Sequence, residues 1–599
     1  MKFTRLFLLA IAVALAGCSE NQQPVSEDIP DVEEQRDYSA DLLALTNAHM
    51  AEVTEASPYL RMMSGMKVEK MADLSPAAAL RDAEKAQVRL ADLAKIDRQQ
   101  LSHDDQLTYD MFEGLLRQTV EAEKYYWHDF GITPYAAGFT FSSLIPRVLA
   151  SSTFESAEDV DRYLGFLQDI GRYIEDDLTK LKGQEERGIL LPKAALPGAR
   201  QTFVGIGDSI AHLAAVSDER TAALAEAEQS RLAAGIESAL TQRISPAVDA
   251  LLDYLGDDYQ QRAPEAVGLG QYRGGLAAYQ FAIRQQTTLD LPPEEIHRRG
   301  LAYMAEIQAE MAEIRNQMEF EGSQAEFHEQ MRSDPRFYAA TPEEVAERYM
   351  AYVRRIEPHI ADYFSVLPKA AYGVKRLDPA AEPGMTFGYY QTPSPSEPVG
   401  YYRFNGSKLD ERPMVWTAAL VYHELVPGHH FHIALQNENE NFSPFRKNTG
   451  LMYAAFTEGW ANYAASLAFE MGIMDDPWDR YGWLLFKAFL ANRLVVDTGM
   501  NAMGWSLEEA REYMTANTFS GADEVKTETL RYSTDMPAQA LAYKLGYEKI
   551  REIRATQEKK LGDAFDIKKF HAATVGSGAM PMALLEKHVD LFMKGTKTW

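Results

Sequence analysis

Residues 423–430 read His-Glu-Leu-Val-Pro-Gly-His-His, and no regular helix can run through them. Pro427 removes a backbone donor and its ring clashes with the preceding turn, while Gly428 opens dihedrals closed to other residues. Yet the flanking residues are those of a metal-binding helix. Four of the chain's thirteen histidines, His423, His429, His430 and His432, fall within one ten-residue window. A second acidic motif, Thr457-Glu458-Gly459-Trp460-Ala461, follows in an apolar helical context.

A His-Glu pair, a further histidine and a glutamate from another helix make up the donor set of a single-zinc hydrolase. In the usual helix the two histidines sit at i and i+4, about 6 Å apart along the axis and on one face. Here i+4 is Pro427. In an unbroken helix His429 would lie about 240° round from His423, and His430 about 10.5 Å along the axis. Zinc–nitrogen bonds of about 2.0–2.1 Å admit neither position. A bulge at Pro427-Gly428 would move His429 into the i+4 place. The expected ligands of one Zn2+ ion are therefore His423, His429 and Glu458, with His430 as the alternative to His429. Glu424 is then the general base toward water activated by the metal. Glu458 lies between Leu451–Phe456 and Trp460-Ala461, where burying an unpaired carboxylate is costly and a metal would remove the cost. His432 reads as a core histidine.

The N-terminus sets an address. Lys2 and Arg5 precede an apolar run, Leu6–Leu15, too short to span a bilayer, which ends in Leu15-Ala16-Gly17-Cys18. This is the pattern of a bacterial lipoprotein signal, with Cys18 as the lipidated first residue of the mature chain. Ser19 carries no aspartate-type retention signal, so the expected location is the outer membrane, facing the periplasm. Cys18 is the chain's one cysteine, which leaves no disulfide to stabilise the fold in an oxidising compartment. The net charge of −28 repels phosphate backbones and anionic lipid surfaces. Nucleic acid is thereby disfavoured as a partner, and membrane contact is expected through the lipid only. A peptide or small protein is the expected substrate.

Residues 19–37 are acidic, contain Pro24 and Pro30 and lack apolar periodicity, as a flexible tether would. From residue 38 to 599 helical patterning dominates. One large catalytic domain of two lobes is expected, with the metal site in 415–470 and a mainly α fold. Thr341-Pro342-Glu343-Glu344 supplies an N-cap, a first-turn proline and acidic residues that suit the helix dipole, ahead of a periodic run to about Leu367. Pro292-Pro293-Glu294-Glu295 opens another helix, and similar stretches cover roughly 76–122, 157–183, 215–255 and 505–516. Two segments interrupt the pattern. Tyr125–Pro146 reads as loop or extended chain, and 373–413 is punctuated by Pro and Gly, with a candidate strand at Gly400–Asn405 that could pair with an extended peptide.

Several of these motifs resemble the DUF885 family of bacterial proteins, many of them lipoproteins. They are His-Glu-x-x-Pro-Gly-His-His, Thr-Glu-Gly-Trp-Ala, Arg531-Tyr532 with Met536-Pro537-Ala538-Gln539-Ala540 through Gly546, Phe570-His571 with Gly576 to Pro581, and the earlier Tyr272-Arg273-Gly274-Gly275. The resemblance implies a helical fold related to the gluzincin metallopeptidases, with zinc held by two histidines and a glutamate. The family commonly has Gly where this chain has Ala538. From the same C-terminal block, Tyr543 and His571 are candidate donors to the oxyanion, and Arg531 a candidate ligand for a peptide carboxylate. Two competing expectations are a peptide-binding lipoprotein that keeps the fold without turnover, and a zinc hydrolase of non-peptide amides.

Overall fold

The computed structural model describes residues 36–379, 382, 388–394 and 397–595. Cys18, the signal segment and residues 19–35 of the expected tether lie outside the described residues. From Tyr38 onward the chain is mainly helical, with one small sheet.

The helices begin where the sequence supplies caps. Ser75, Ser102, Ser156, Thr341 and Ser443 each accept a backbone N–H from the first turn of the helix that follows. Ser323 with Glu326 and Ser506 with Glu509 form reciprocal capping boxes. The long helices at Ala157–Glu185 and Pro293–Gln317 fall where periodicity puts them. The stretch 76–122 divides into Pro76–Leu93 and His103–Ala122, because Asp97 and Ser102 open new turns between them. The helix from Pro342 stops at Ile356 and does not reach Leu367, since Pro358 cannot continue it.

Tyr125–Pro146 departs from expectation. It is largely helical, with Pro134–Phe139, a π-helical turn at Thr140–Leu144 and a helix at Ile145–Ser151. Three π-helical turns occur among the described residues, at Thr140–Leu144, Leu240–Ile244 and Arg531–Asp535. Each ends two residues before a proline, Pro146, Pro246 or Pro537, whose missing N–H removes one i→i−4 bond.

The sheet lies in the Pro/Gly-rich segment. β1 (Tyr372–Arg376) runs parallel to β3 (Gly400–Phe404), and β2 (Gly388–Gln391) pairs antiparallel on its other side. The strand expected at 400–405 is thus the central one, paired on both edges, and cannot accept an added peptide. β2 is the edge strand nearer the functional residues.

Buried apolar side chains form two clusters. One holds Val421, Leu425, Trp460, Tyr463, Leu485 and Phe570; the other holds Phe166, Ile170, Phe203, Leu251 and Tyr279. The helix Leu541–Leu561 serves both, presenting Leu541 and Leu545 to one and Ala542, Ile550 and Ile553 to the other. It packs along the helix Ala454–Glu470, and the two meet at glycines. A Cβ on Gly459 would lie 2.5 Å from the Gly546 carbonyl carbon, and one on Gly546 1.9 Å from the Ala455 oxygen. The glycine of the Thr-Glu-Gly-Trp motif therefore brings the helix bearing Glu458 against the helix bearing Tyr543.

Candidate metal centre

The helix Thr417–Glu424 ends immediately after its His-Glu pair, and a new helix, His429–Glu438, starts past Pro427-Gly428. The Val426-Pro427 peptide is cis. Gly428 packs so tightly into the break that a Cβ there would lie 1.8 Å from the His423 carbonyl oxygen. Trp460, fully buried, donates its indole N–H to the Pro427 carbonyl at 3.1 Å and so ties the break to the next helix. His429 consequently faces His423, with ring centroids 4.6 Å apart.

Glu458 comes up from the third helix to meet both. Its Oε2 lies 3.4 Å from His423 Nε2 and 3.3 Å from His429 Nε2, and the potential ligand atoms of the three residues all fall within 4.8 Å of one another. Second contacts fix the ring orientations. Asn462, one turn after Glu458, donates its amide N–H to the Glu458 carbonyl at 2.9 Å. Its oxygen is thus left to accept from His423 Nδ1 at 3.1 Å. A neutral His423 protonated at Nδ1 presents the Nε2 lone pair to Glu458. His429 Nδ1 lies 3.3 Å from His432 Nε2.

These residues fit a divalent cation. Two imidazole nitrogens and a carboxylate oxygen converge, and Glu458 Oε2 is buried without a hydrogen-bond partner. Its contacts with the two imidazoles are close in distance but are not hydrogen bonds in geometry. A neutral imidazole lone pair facing a carboxylate is repulsive unless a cation lies between them. Burial opposes ionisation of Glu458, and only positive charge on His429 and His423 would hold its carboxyl below the usual carboxylate range; between neutral imidazoles a cation takes that part.

Glu424 stands beside this cluster. Burial pushes its carboxyl up to about 7; His423 opposes the shift, Glu458 adds to it, and a hydrogen bond from the Tyr390 backbone N–H of β2 opposes it. His430 lies apart from the cluster. It is buried between Tyr390 Oη (2.9 Å from Nδ1) and the Ala370 carbonyl (3.0 Å from Nε2). With Nε2–H donating to a carbonyl, its Nδ1 accepts the Tyr390 hydroxyl, so His430 clasps the sheet to the start of the His429 helix.

His423, Glu424, His429 and Glu458 line a cleft of about 360 Å³. Tyr390 of β2, Phe486, Arg493, Arg531 and Tyr543 complete the parts of its wall that bear on chemistry. Of the C-terminal candidates, Tyr543 and Arg531 are there and His571 is not. His571 is fully buried elsewhere, 2.9 Å from Tyr463 Oη and 2.8 Å from the Tyr363 carbonyl, and stacked on Phe364. Both ring nitrogens are engaged, which removes it as an oxyanion donor.

Ala538, the departure from the family pattern, has φ +68° and is fully buried. Its N–H donates to the Asp497 carboxylate at 3.1 Å, and the next residue, Gln539, accepts from Arg531. Left-handed backbone explains a glycine at this place. Sequence reasoning passed over Asn462, Arg493 and Glu528 and assigned His432 to the core. Asn462 had a signal, since it follows Glu458 by four residues and shares its face.

Fold and site together define a mainly helical protein that gathers two histidines and a glutamate from three helices at a cleft, with a second glutamate beside them. The chain belongs to DUF885, a family of bacterial proteins of unknown function, whose model matches residues 58–589. It is similar to a solved structure described as "the putative lipoprotein from Colwellia psychrerythraea", with 24% identity, TM-score 0.82, and 93% of this chain and 99% of that one covered. A second, described as a "putative lipoprotein of unknown function from Shewanella oneidensis", shares 16% identity at TM-score 0.71, covering 91% of this chain and 99% of that one. No curated protein matches the chain.

Proposed function

We propose that this chain is a zinc-dependent peptidase of the bacterial envelope, built on a gluzincin-like fold of two lobes. The observation that carries the proposal is the convergence of His423, His429 and Glu458 on one point, with the Glu424 carboxyl beside it in an open cleft. A zinc ion held by the three residues would supply a Lewis acid for water and for the scissile carbonyl.

The remaining roles belong to the chain. Glu424, held at the cleft by the Tyr390 N–H, takes a proton from the attacking water and returns it to the leaving amine. Tyr543, carried on the opposing helix, donates to the developing oxyanion. Asn462 and His432 hold the two imidazoles in register. Gly388 and Tyr389 of the edge strand border the same cleft, where an extended peptide can lie.

The envelope location rests on the sequence around Cys18 and on two similar structures, each described as a "putative lipoprotein". No helix among the described residues is long and apolar enough to cross a membrane. The test of activity is a digest of a peptide library by purified protein with and without zinc. Zinc-dependent cutting abolished in Glu424→Gln supports the proposal, and an uncut library with zinc bound refutes it.

A further inference from the structure

We infer that the cleft carries a dedicated carboxylate subsite, built from Arg493 and Arg531, that seats the C-terminal carboxylate of a peptide and makes the protein a carboxypeptidase. This inference rests on the peptidase function proposed above and specifies its substrate.

The charges on this wall do not balance. Arg493 and Arg531 are both buried, and both lean on one carboxylate, Glu528. Arg493 Nη2 lies 3.1 Å from Glu528 Oε2, and Arg531 Nη1 lies 3.2 Å from Oε1. Tyr532 also donates to Glu528 and accepts from Arg493 Nε at 2.8 Å, so the Glu528 carboxylate is well occupied. Arg531 Nε, by contrast, is buried with no partner. Two guanidiniums against one carboxylate leave one positive charge on the wall of the cleft, and Arg531 keeps one buried donor without a partner.

Other acidic groups face the pair from behind. Glu524 lies near Arg493, while Asp497 and Asp535 lie near Arg531, and none of the three lines the cleft. Burial pushes Glu524 and Asp497 up to about 7 and Asp535 up to about 6, and none of the three makes an ion pair with either guanidinium. An anion entering from the cleft would.

Position selects which anion. Tyr543 is near both parts of the site. Its hydroxyl is within electrostatic range of Glu458 and of both arginines, and the Arg493 guanidinium sits 4.7 Å from its ring centre. A carboxylate on the arginines therefore sits in the same cleft as the reacting carbonyl, with Tyr543 near both. The cleft, about 360 Å³, is at the small end of ligand pockets. It suits a short stretch of chain beyond that carbonyl. Hydrolysis then breaks the amide C–N bond, adds the water oxygen to the acyl carbon and delivers the water proton through Glu424 to the amine of the released C-terminal fragment.

The experiment uses the whole protein loaded with zinc and one N-acetylated tetrapeptide in two forms, with a free C-terminal carboxylate and with a C-terminal amide. Products are read by mass spectrometry. The acid form is expected to be cut from its C-terminus, at least about thirty-fold better in kcat/KM than the amide, the worth of a charge-assisted contact. Arg531→Lys should shrink that ratio while zinc stays bound. A binding arm uses Glu424→Gln and the same two peptides by calorimetry, where the acid form is expected to bind tighter by a similar factor.

Equal cutting of acid and amide overturns the subsite and leaves the peptidase standing. A preference for internal Asp or Glu over a free C-terminus overturns the assignment to the α-carboxylate. If neither peptide is cut but the acid binds Glu424→Gln selectively, the subsite stands and the peptidase falls. Equal binding of the two overturns the subsite.

Discussion

Gly428→Ala should unmake the centre without touching any polar residue. The new Cβ would sit 1.8 Å from the His423 carbonyl oxygen and 2.5 Å from both the His423 carbonyl carbon and the Tyr422 oxygen. Ordinary carbon contacts need about 3.5 Å, so the two segments must part by about 1.7 Å, and every clashing atom is backbone. Overpacking of this kind costs about 1–3 kcal/mol in stability. The effect on metal is larger. His429 follows Gly428 directly, and metal–ligand distances tolerate only about 0.2 Å. A shift several times that size takes His429 out of reach of a zinc held by His423 and Glu458. Zinc affinity should fall by at least about a hundred-fold, the upper range for a disturbed supporting contact. Competition with a chelating dye gives the affinity, and urea unfolding gives the stability. Near-normal zinc affinity in Gly428→Ala would refute the proposition that the close-packed break sets the position of His429.

Three further outcomes are expected. Ala538→Gly should be nearly neutral in urea unfolding, because release of left-handed strain, about 1–2 kcal/mol, offsets the lost methyl and the added freedom of the unfolded chain. The same change at Ala540, also buried but with φ −66°, has no strain to release and should cost about 1–2 kcal/mol; equal costs would contradict the strain. Burial depresses His571 and His588 to about 3, so below pH 6.5 the unfolded chain takes up protons that the folded one refuses. Their contribution is present above pH 6.5 and lost as pH falls toward 3. About 2 kcal/mol per histidine should be gone at pH 5, and His588→Gln should flatten that decline. Cys18→Ser should leave the chain without lipid in membrane fractionation, and a wild-type mature chain lacking diacylglycerol would contradict the lipoprotein signal.

How far the sequence reaches can be seen at individual residues. Helix starts were legible because Ser, Thr and Pro caps act locally, as at Thr341-Pro342 and Ser506. Tyr125–Pro146 reads as loop or extended chain on its aromatics, Gly, Pro and Thr, yet it is largely helical. At the first turn a proline forfeits no hydrogen bond, and a π-helical turn absorbs the loss further on. In the site, Pro427-Gly428 announced a break, and the spacing put His429 opposite His423. The break's tightness depends on His423 carbonyl contacts that no local pattern encodes. Tyr543 and Arg531 were candidates on residue type alone. That Arg493 and Glu528 join them, and that His571 does not, depends on helices packing across long stretches of chain. Asn462 was within reach, because a polar residue four places after a proposed ligand shares its face.

Metal content after dialysis against a mild chelator tests the proposed centre most directly. Wild type, Glu424→Gln and His430→Ala should each retain close to one zinc per chain, because Glu424 stands beside the ligands and His430 is bonded to Tyr390 and Ala370. His423→Ala, His429→Ala and Glu458→Ala should each lose it. Zinc stripped by His430→Ala but kept by His429→Ala, or a wild-type chain that binds no zinc at all, would contradict the centre described here.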